Sequence, residues 1–390
     1  MARIMRHLAL LAVLALVAGG AGGGTPATLE YRLYREIATP TFTVAGFVVT
    51  ELPKALGIGL PAHAALAADE DLVRHYLAAA QRTTERPRVD GATADGAAAR
   101  ADRERLEPLV ERMLATQVAA ILRDEGLGLS GGEVFPPVRF VFRDPPLMLI
   151  VSPREQVALR TAVPLAGDLD AVAMAEVEER AERLGVSALV VQIGGLATYP
   201  AMLPPAGDVA WLLEAVAHEW VHNYFTVRPL GWRYALGVER DPAVITINET
   251  AADLVAREIG RRALRQFYGE TTGPHSAAGP PDPRTARFRA RMREIRAQVD
   301  ALLAAGQVEA AEVYMAQQRL ALEREGFALR KLNQAYFAFH GSYADGPAGR
   351  LDPVVADVKE LRARSASLRA FADAVSGVGS AAELRALLVR

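Results

Sequence analysis

The chain has no cysteine among its 390 residues. Disulfides, thiolate nucleophiles, cysteine-ligated zinc and a lipid-anchoring cysteine are therefore excluded. Any metal has to be held by histidine and carboxylate. A strong charge of one sign is missing too. The net charge is −2, and arginine alternates with glutamate and aspartate along what read as helix surfaces. That pattern excludes the basic stripe a nucleic-acid-binding protein needs and fits solvated helix faces instead. Nor is the composition that of a disordered chain. Hydrophobic residues make up 51%, enough for a sizeable core in one large domain or two ordinary ones.

The N-terminus carries a tripartite pattern. "MARIMRH" supplies Arg3 and Arg6, an apolar run from Leu8 to Ala18 follows, and small residues come next. Gly19 and Ala21 suit the −3 and −1 positions of a cleavage site. Residues 1–24 are expected to be a secretory signal. The rival is an uncleaved anchor, because the glycine-rich tail extends the apolar span towards roughly 17 residues, the short limit for a spanning helix. In both cases the arginines stay inside. The remainder is expected outside the cytoplasm, periplasmic or extracellular, or held at the membrane facing outwards.

Residues 25–130 read as a helical region. "FTVAGFVVTELPKALGIGLP" is apolar but interrupted by Glu51, Pro53 and Lys54, which suits a packed or membrane-adjacent segment better than a second span. Residues 86–101, rich in Gly, Ala, Asp and Pro, are expected to be a loop. A helix over about 102–125 should end at Gly126. The texture changes near residue 134, where short β-branched runs cut by proline pairs predict two or three strands. A helix over about 168–184, a strand over Ala188–Ile193 and a chain helical almost to its end complete the pattern. The fold class expected is α+β and mostly helical: a small sheet precedes a helical lobe, within a domain over 131–390.

Just after the last expected strand stands "AVAHEWVHNYF". Asp208 is a suitable N-cap for a helix over about 209–226. Leu213, Val216, Ala217, Trp220 and Tyr224 form an apolar stripe at helical period. His218 and His222, one turn apart, share the face nearly opposite. Two imidazoles so placed can reach one ion, and Glu219 sits beside it without having to ligate it. A carboxylate there can take the proton of an activated water. The competing account is an ordinary polar helix surface. The segment is too apolar for a fully exposed helix, however, and partly buried histidines need partners.

A catalytic zinc normally has a third protein ligand. The metzincin pattern asks for glycine and histidine where Phe225 and Arg228 stand, so that class is excluded. "DPAVITINETAADLVAREIG" offers another source. Asp241 and Pro242 suit an N-cap and first helical residue. Glu249 and Asp253 then face one way at i, i+4. Glu249 can supply the anionic ligand, and Asp253 can fix the tautomer of a ligand histidine. The competing use of Glu249 is a capping box with Thr246.

"HEWVH" followed by "NETAAD" resembles the gluzincin metallopeptidases, with HExxH on one helix and NExxxD on the next. More broadly, residues 130–390 are similar to bacterial exported aminopeptidases with this pattern. The resemblance implies a thermolysin-like catalytic architecture binding Zn²⁺, with His218, His222 and Glu249 as ligands and Glu219 as base. Asp253 supports a ligand histidine from behind. The implied substrate is a peptide or protein. The resemblance also implies an oxyanion donor from the helical lobe, where "NQAYFAFHGSYADGP" offers Tyr343 and His340, with Tyr336 a core residue. Substrate backbone is expected along the strand at "VVQIGGLATYP", where Gly194 and Gly195 permit close approach. A simple strand-ending turn is the other account of that glycine pair. The glutamate that binds a free amine in many aminopeptidases of this kind is missing between Ile193 and Leu213, so exopeptidase action rests on the resemblance alone. The alternative function is a helical binding or scaffold protein at the cell envelope whose site is degenerate or holds metal without turnover.

Overall fold

The computed structural model describes residues 28–37, 41–55, 69–84, 94–128, 133–167, 169–226, 228–236, 242–269, 283–341 and 353–389. Residues 1–24, expected to be a signal or anchor, lie outside them, as do Tyr343 and Asp241. Among the described residues no helix is long and apolar enough to cross a membrane.

The protein is mostly helical with little sheet. Helices α1 (Leu29–Glu36), α2 (Val44–Ala55), α3 (Glu70–Thr84) and α4 (Ala94–Asp124) come first. Strands β1 (Phe140–Phe142), β2 (Leu147–Pro153) and β3 (Thr161–Leu165) follow, then α5 (Ala171–Glu182), β4 (Val186–Val191) and β5 (Ala201–Leu203). The second half holds α6 (Val209–Phe225), α7 (Pro229–Leu236), α8 (Pro242–Tyr268), α9 (Pro283–Ala304) and α10 (Val308–Arg324). It ends with α11 (Gln334–Gly341), α12 (Pro353–Arg364), α13 (Leu368–Ser376) and α14 (Ala381–Leu388).

Strand β2 is the centre of a three-stranded antiparallel sheet of order β3-β2-β4, which leaves β4 at an edge. Both faces are covered. Leu149, Val151, Val163, Ala188 and Val190 face α1 and α5, while Ile150 and Leu189 face α9, α10 and α11. A sheet buried on both sides needs near-continuous apolar strands, and "LMLIV" and "ALVV" provide them. β1 and β5 form a separate parallel pair, Phe140 beside Ala201.

The larger core is helical. It joins residues of α3 and α4, such as Tyr76 and Leu114, to residues of α6, α8, α12 and α13, such as Leu213, Ile259, Val358 and Phe371. Of the helices before residue 130, α3 and α4 thus share one core with those of the second half, while Leu33 of α1 and Ile37 just after it pack on the sheet and Phe47 and Val48 of α2 pack with Val141 and Tyr199.

Three local expectations differ from the structure. The expected loop over 86–101 is helix from Ala94 onward. Its alanines are the best intrinsic helix formers, and Ala99 is buried. The strand expected over Ala188–Ile193 begins and ends two residues earlier, because its pairing with β2 runs from Val186 to Val191. The stretch after it is not purely helical: β5 intervenes, three residues long and recruited by pairing with the distant β1.

Candidate metal centre and its cleft

Helix α6 starts where its sequence directs. Asp208 Oδ1 accepts the Trp211 N–H at 2.8 Å, an N-cap. The helix then runs through the core and is buried nearly all round. The apolar stripe from Leu213 to Tyr224 is buried as expected. The face expected opposite it is not open to water either, since Glu219, His222 and Asn223 are all buried. Helix α8 packs against it and begins at Pro242, so Thr246 lies inside the helix rather than at its cap. The capping-box use of Glu249 is therefore absent.

The two helices run antiparallel, with His222 beside Asn248 and His218 beside Asp253. Three ligand-type atoms converge between them. His218 Nε2 and His222 Nε2 are 3.0 Å apart, and Glu249 Oε2 lies 3.5 Å from the first and 3.7 Å from the second. Around a tetrahedral ion bonded at about 2.1 Å, ligand atoms stand roughly 3.4 Å apart. The observed separations bracket that distance, so the cluster can hold a metal ion.

The chemistry of the donor set fits as well. His222 Nδ1 faces Asn248 Oδ1 at 2.7 Å, and His218 Nδ1 faces Asp253 Oδ1 at 3.2 Å. Both outer nitrogens meet acceptors and so carry the hydrogens. The lone pairs of the neutral rings then lie on the Nε2 atoms, aimed at one another and beside a carboxylate. A cation relieves this crowding of electron pairs. Without a metal, a proton does so. Burial pulls His218 down, but hydrogen bonds to Asp253 and Glu249 outweigh it and hold the imidazole well above its usual range. Burial pushes His222 the other way, below its usual value, against the pull of Glu249. A proton on His218 Nε2 can be donated to the His222 lone pair.

Glu219 is buried beside this cluster. Burial pushes its carboxyl up to about 7, with Glu249 adding to the rise and His218 opposing it. A carboxyl poised near neutrality can accept and return a proton with little penalty either way. Gly195 lies directly against it: a Cβ at that position would stand 2.2 Å from Glu219 Oε1. Of the two glycines picked out by sequence, only Gly195 makes this approach, since a Cβ on Gly194 would meet open space. The segment is pinned. Leu196 and Met202 exchange backbone hydrogen bonds at 3.0 Å, and Asn223 Nδ2 of α6 donates to Thr198 O at 3.0 Å.

The cluster opens into a cleft of about 640 Å³ between α6, α8, the sheet and α11. Gln192 to Ala197 line it on leaving β4, and Trp211, Glu214, Arg257 and Phe339 line it elsewhere. Two oxyanion candidates have different places. Tyr343 lies outside the described residues. His340 packs its ring on Tyr336 at 4.3 Å and Phe339 at 5.0 Å, and it is Phe339 that reaches the cleft. Burial pulls His340 down to about 4. Tyr336 sits in the core as expected.

Sequence reasoning counted Asn248 in the NExxxD pattern without giving it a role, and it did not single out Glu214, Arg257 or Phe339. Asn248 had a signal, standing next to Glu249 on the helix and about 100° round from it, so that one residue aligns a ring and the next supplies a ligand atom. Glu214 and Arg257 had a fainter one, each a helical turn from a site residue. Phe339 had none. Comparison with known protein families, with curated proteins and with solved structures finds no match to this chain.

Proposed function

We propose that the protein is an exported zinc-dependent peptidase of the gluzincin type. The observation that carries the proposal is the convergence of His218, His222 and Glu249 beside a buried, proton-accepting Glu219 in an open cleft. The order of small sheet, metal helix and second ligand helix supports a thermolysin-like arrangement. The N-terminal pattern of Arg3, Arg6 and the apolar run supports export.

In this reading His218, His222 and Glu249 hold one Zn²⁺. When bound, the ion supplies a Lewis acid that polarises a carbonyl and acidifies water. The protein's own residues do the rest. Asn248 and Asp253 keep the lone pairs of both rings turned inwards. Glu219 takes the proton of the attacking water and delivers it to the departing amine. Gly195, having no side chain, leaves Glu219 its place and presents backbone to an extended substrate. Water is restricted by the apolar walls of the cleft, which strengthens each polar contact inside.

The test is metal analysis of purified protein together with digestion of a peptide library. About one zinc per chain with cleavage is expected. Absence of zinc after metal-replete purification overturns the proposal. Zinc with no cleavage of any peptide favours a metal-holding binding protein instead.

A further inference from the structure

We infer that the sheet edge beside the metal centre pairs with substrate over residues 192–195 alone and is closed to strand addition on either side, so that the substrates are short peptides. This rests on the peptidase reading above and adds the substrate class.

Strand β4 is an edge strand, yet its outer edge is already filled. In an antiparallel sheet alternate residues turn their N–H and C=O groups to one neighbour, and the residues between turn theirs the other way. Ala188 and Val190 turn theirs away from β2, onto side chains. The Val190 N–H donates to Glu178 Oε1 at 2.6 Å, and Arg330 donates to Val190 O at 2.9 Å. The Ala188 N–H donates to Glu182 Oε1 at 3.4 Å, and Asn333 Nδ2 donates to Ala188 O at 2.8 Å. An added strand would lie about 4.8 Å from β4, in the space these side chains occupy. They are held in turn, since Arg330 and Lys331 both pair with the buried Glu178. An edge covered in this way is protected from pairing with a further strand.

The next residues in the alternation differ. Gln192 and Gly194 are exposed and line the cleft, and among the described residues their backbone groups make no hydrogen bond. Gly195 follows against Glu219. Beyond it the edge closes again, because Leu196 exchanges both of its backbone hydrogen bonds with Met202 at 3.0 Å. The open backbone therefore runs from the plug at Val190 to the bridge at Leu196 and ends beside the proton acceptor. At about 3.3 Å per residue it is roughly 13 Å long, with two outward-facing stations about 6.6 Å apart. A peptide of about four extended residues fills that length. A longer extended chain meets Arg330 at one end and the Leu196 bridge at the other, and has to leave the edge.

The experiment uses blocked peptides of four, six and eight residues, together with a scan of the longest in which each backbone nitrogen is methylated in turn. Two readouts are taken: hydrolysis by the zinc-loaded full chain, and binding to the Glu219→Gln protein by calorimetry. Methylation should weaken binding only at the substrate residues facing the two stations, by about two- to tenfold, the worth of one hydrogen bond. Affinity and kcat/KM should be level from four residues to eight. Gln192→Pro, which deletes one N–H of the open stretch at an exposed position, should weaken binding by a similar factor. The peptide scan uses no altered backbone in the protein and guards against misfolding of that variant. Penalties at alternate positions along the whole octapeptide, penalties at none, or a steady gain in affinity up to eight residues would overturn the inference and leave the peptidase reading standing. Confined penalties without hydrolysis by wild type would overturn the peptidase reading and leave the short pairing edge standing.

Discussion

Glu178 on α5 and Glu249 on α8 are both almost wholly buried, at 1% and 5% exposure, yet they meet opposite surroundings. Glu178 is surrounded by donors. Arg330 grips it with two nitrogens, Lys331 approaches at 3.4 Å, and the Val190 N–H donates at 2.6 Å. Arg330 also donates to Val190 O at 2.9 Å, so the group ties α5, β4 and the chain before α11 together. Glu249 instead faces two imidazoles whose outer nitrogens are already taken by Asn248 and Asp253. A buried charge is tolerated when it is paired and hydrogen-bonded. The protein supplies fixed cations to Glu178. At Glu249 it supplies electron pairs and leaves the positive charge to a proton or a metal. The first arrangement is structural, and the second suits an exchangeable ion.

The largest test of this contrast is Glu249→Ala. It should bring zinc content from about one per chain to near zero and abolish hydrolysis, with far-ultraviolet circular dichroism unchanged. Glu219→Gln should keep the metal and lower kcat about 10²- to 10⁴-fold, the usual range for a general base. Glu178→Ala should do the reverse: zinc is retained, but urea unfolding shows a loss of about 3 kcal/mol, as expected when one partner of a buried pair is removed. If Glu178→Ala loses metal while Glu249→Ala unfolds, the contrast is broken.

Two smaller effects sharpen it. Gly195→Ala should displace the Glu219 carboxylate and lower kcat about 10- to 100-fold, because small misplacements near the reacting centre are costly. Its thermal midpoint should shift little, since Gly195 has no positive φ to lose. His340 gives the smallest effect and concerns the sheet half alone. Its folded-state value of about 4 lies below the ordinary histidine value near 6.5. The unfolded chain therefore takes up the proton first, and stability falls as pH drops from 6.5 towards 4. His340→Phe should flatten that part of the stability profile. Activity retained in the same variant would assign the oxyanion donor elsewhere.

Much of the site was legible because it depends on spacing. His218 and His222 at i, i+4, Asp208 as a cap, and Glu249 with Asp253 at i, i+4 are all consequences of helical period. The glycine pair after β4 was legible as a place of close approach, but which glycine mattered was not. That depended on where Glu219 arrived from another element. The helix from Ala94 was missed because the glycines and aspartates of the stretch drew the reading to a loop, against the helix preference of its alanines. The short β5 was missed because a three-residue strand has weak local preference and its distant partner decides its state. The all-round burial of α6 was likewise hidden, because periodicity reports one packing partner and α6 has several, among them α4, α8 and β5.

By itself the sequence determined the chemistry on offer: histidine and carboxylate but no thiol, arranged at helical spacing on two helices, the first capped by Asp208. It also determined a small sheet of short apolar strands ahead of those helices. Tertiary structure decided that the two helices pack antiparallel, so that ligand atoms separated by 26 residues of chain come within 3.7 Å. It decided too that Asn248 and Asp253 turn the lone pairs inwards, that Gly195 meets Glu219, and that the edge of the sheet core opens beside them. The physical reason is range. Period and capping act within a few residues, whereas convergence and cleft shape follow from how whole elements share a core.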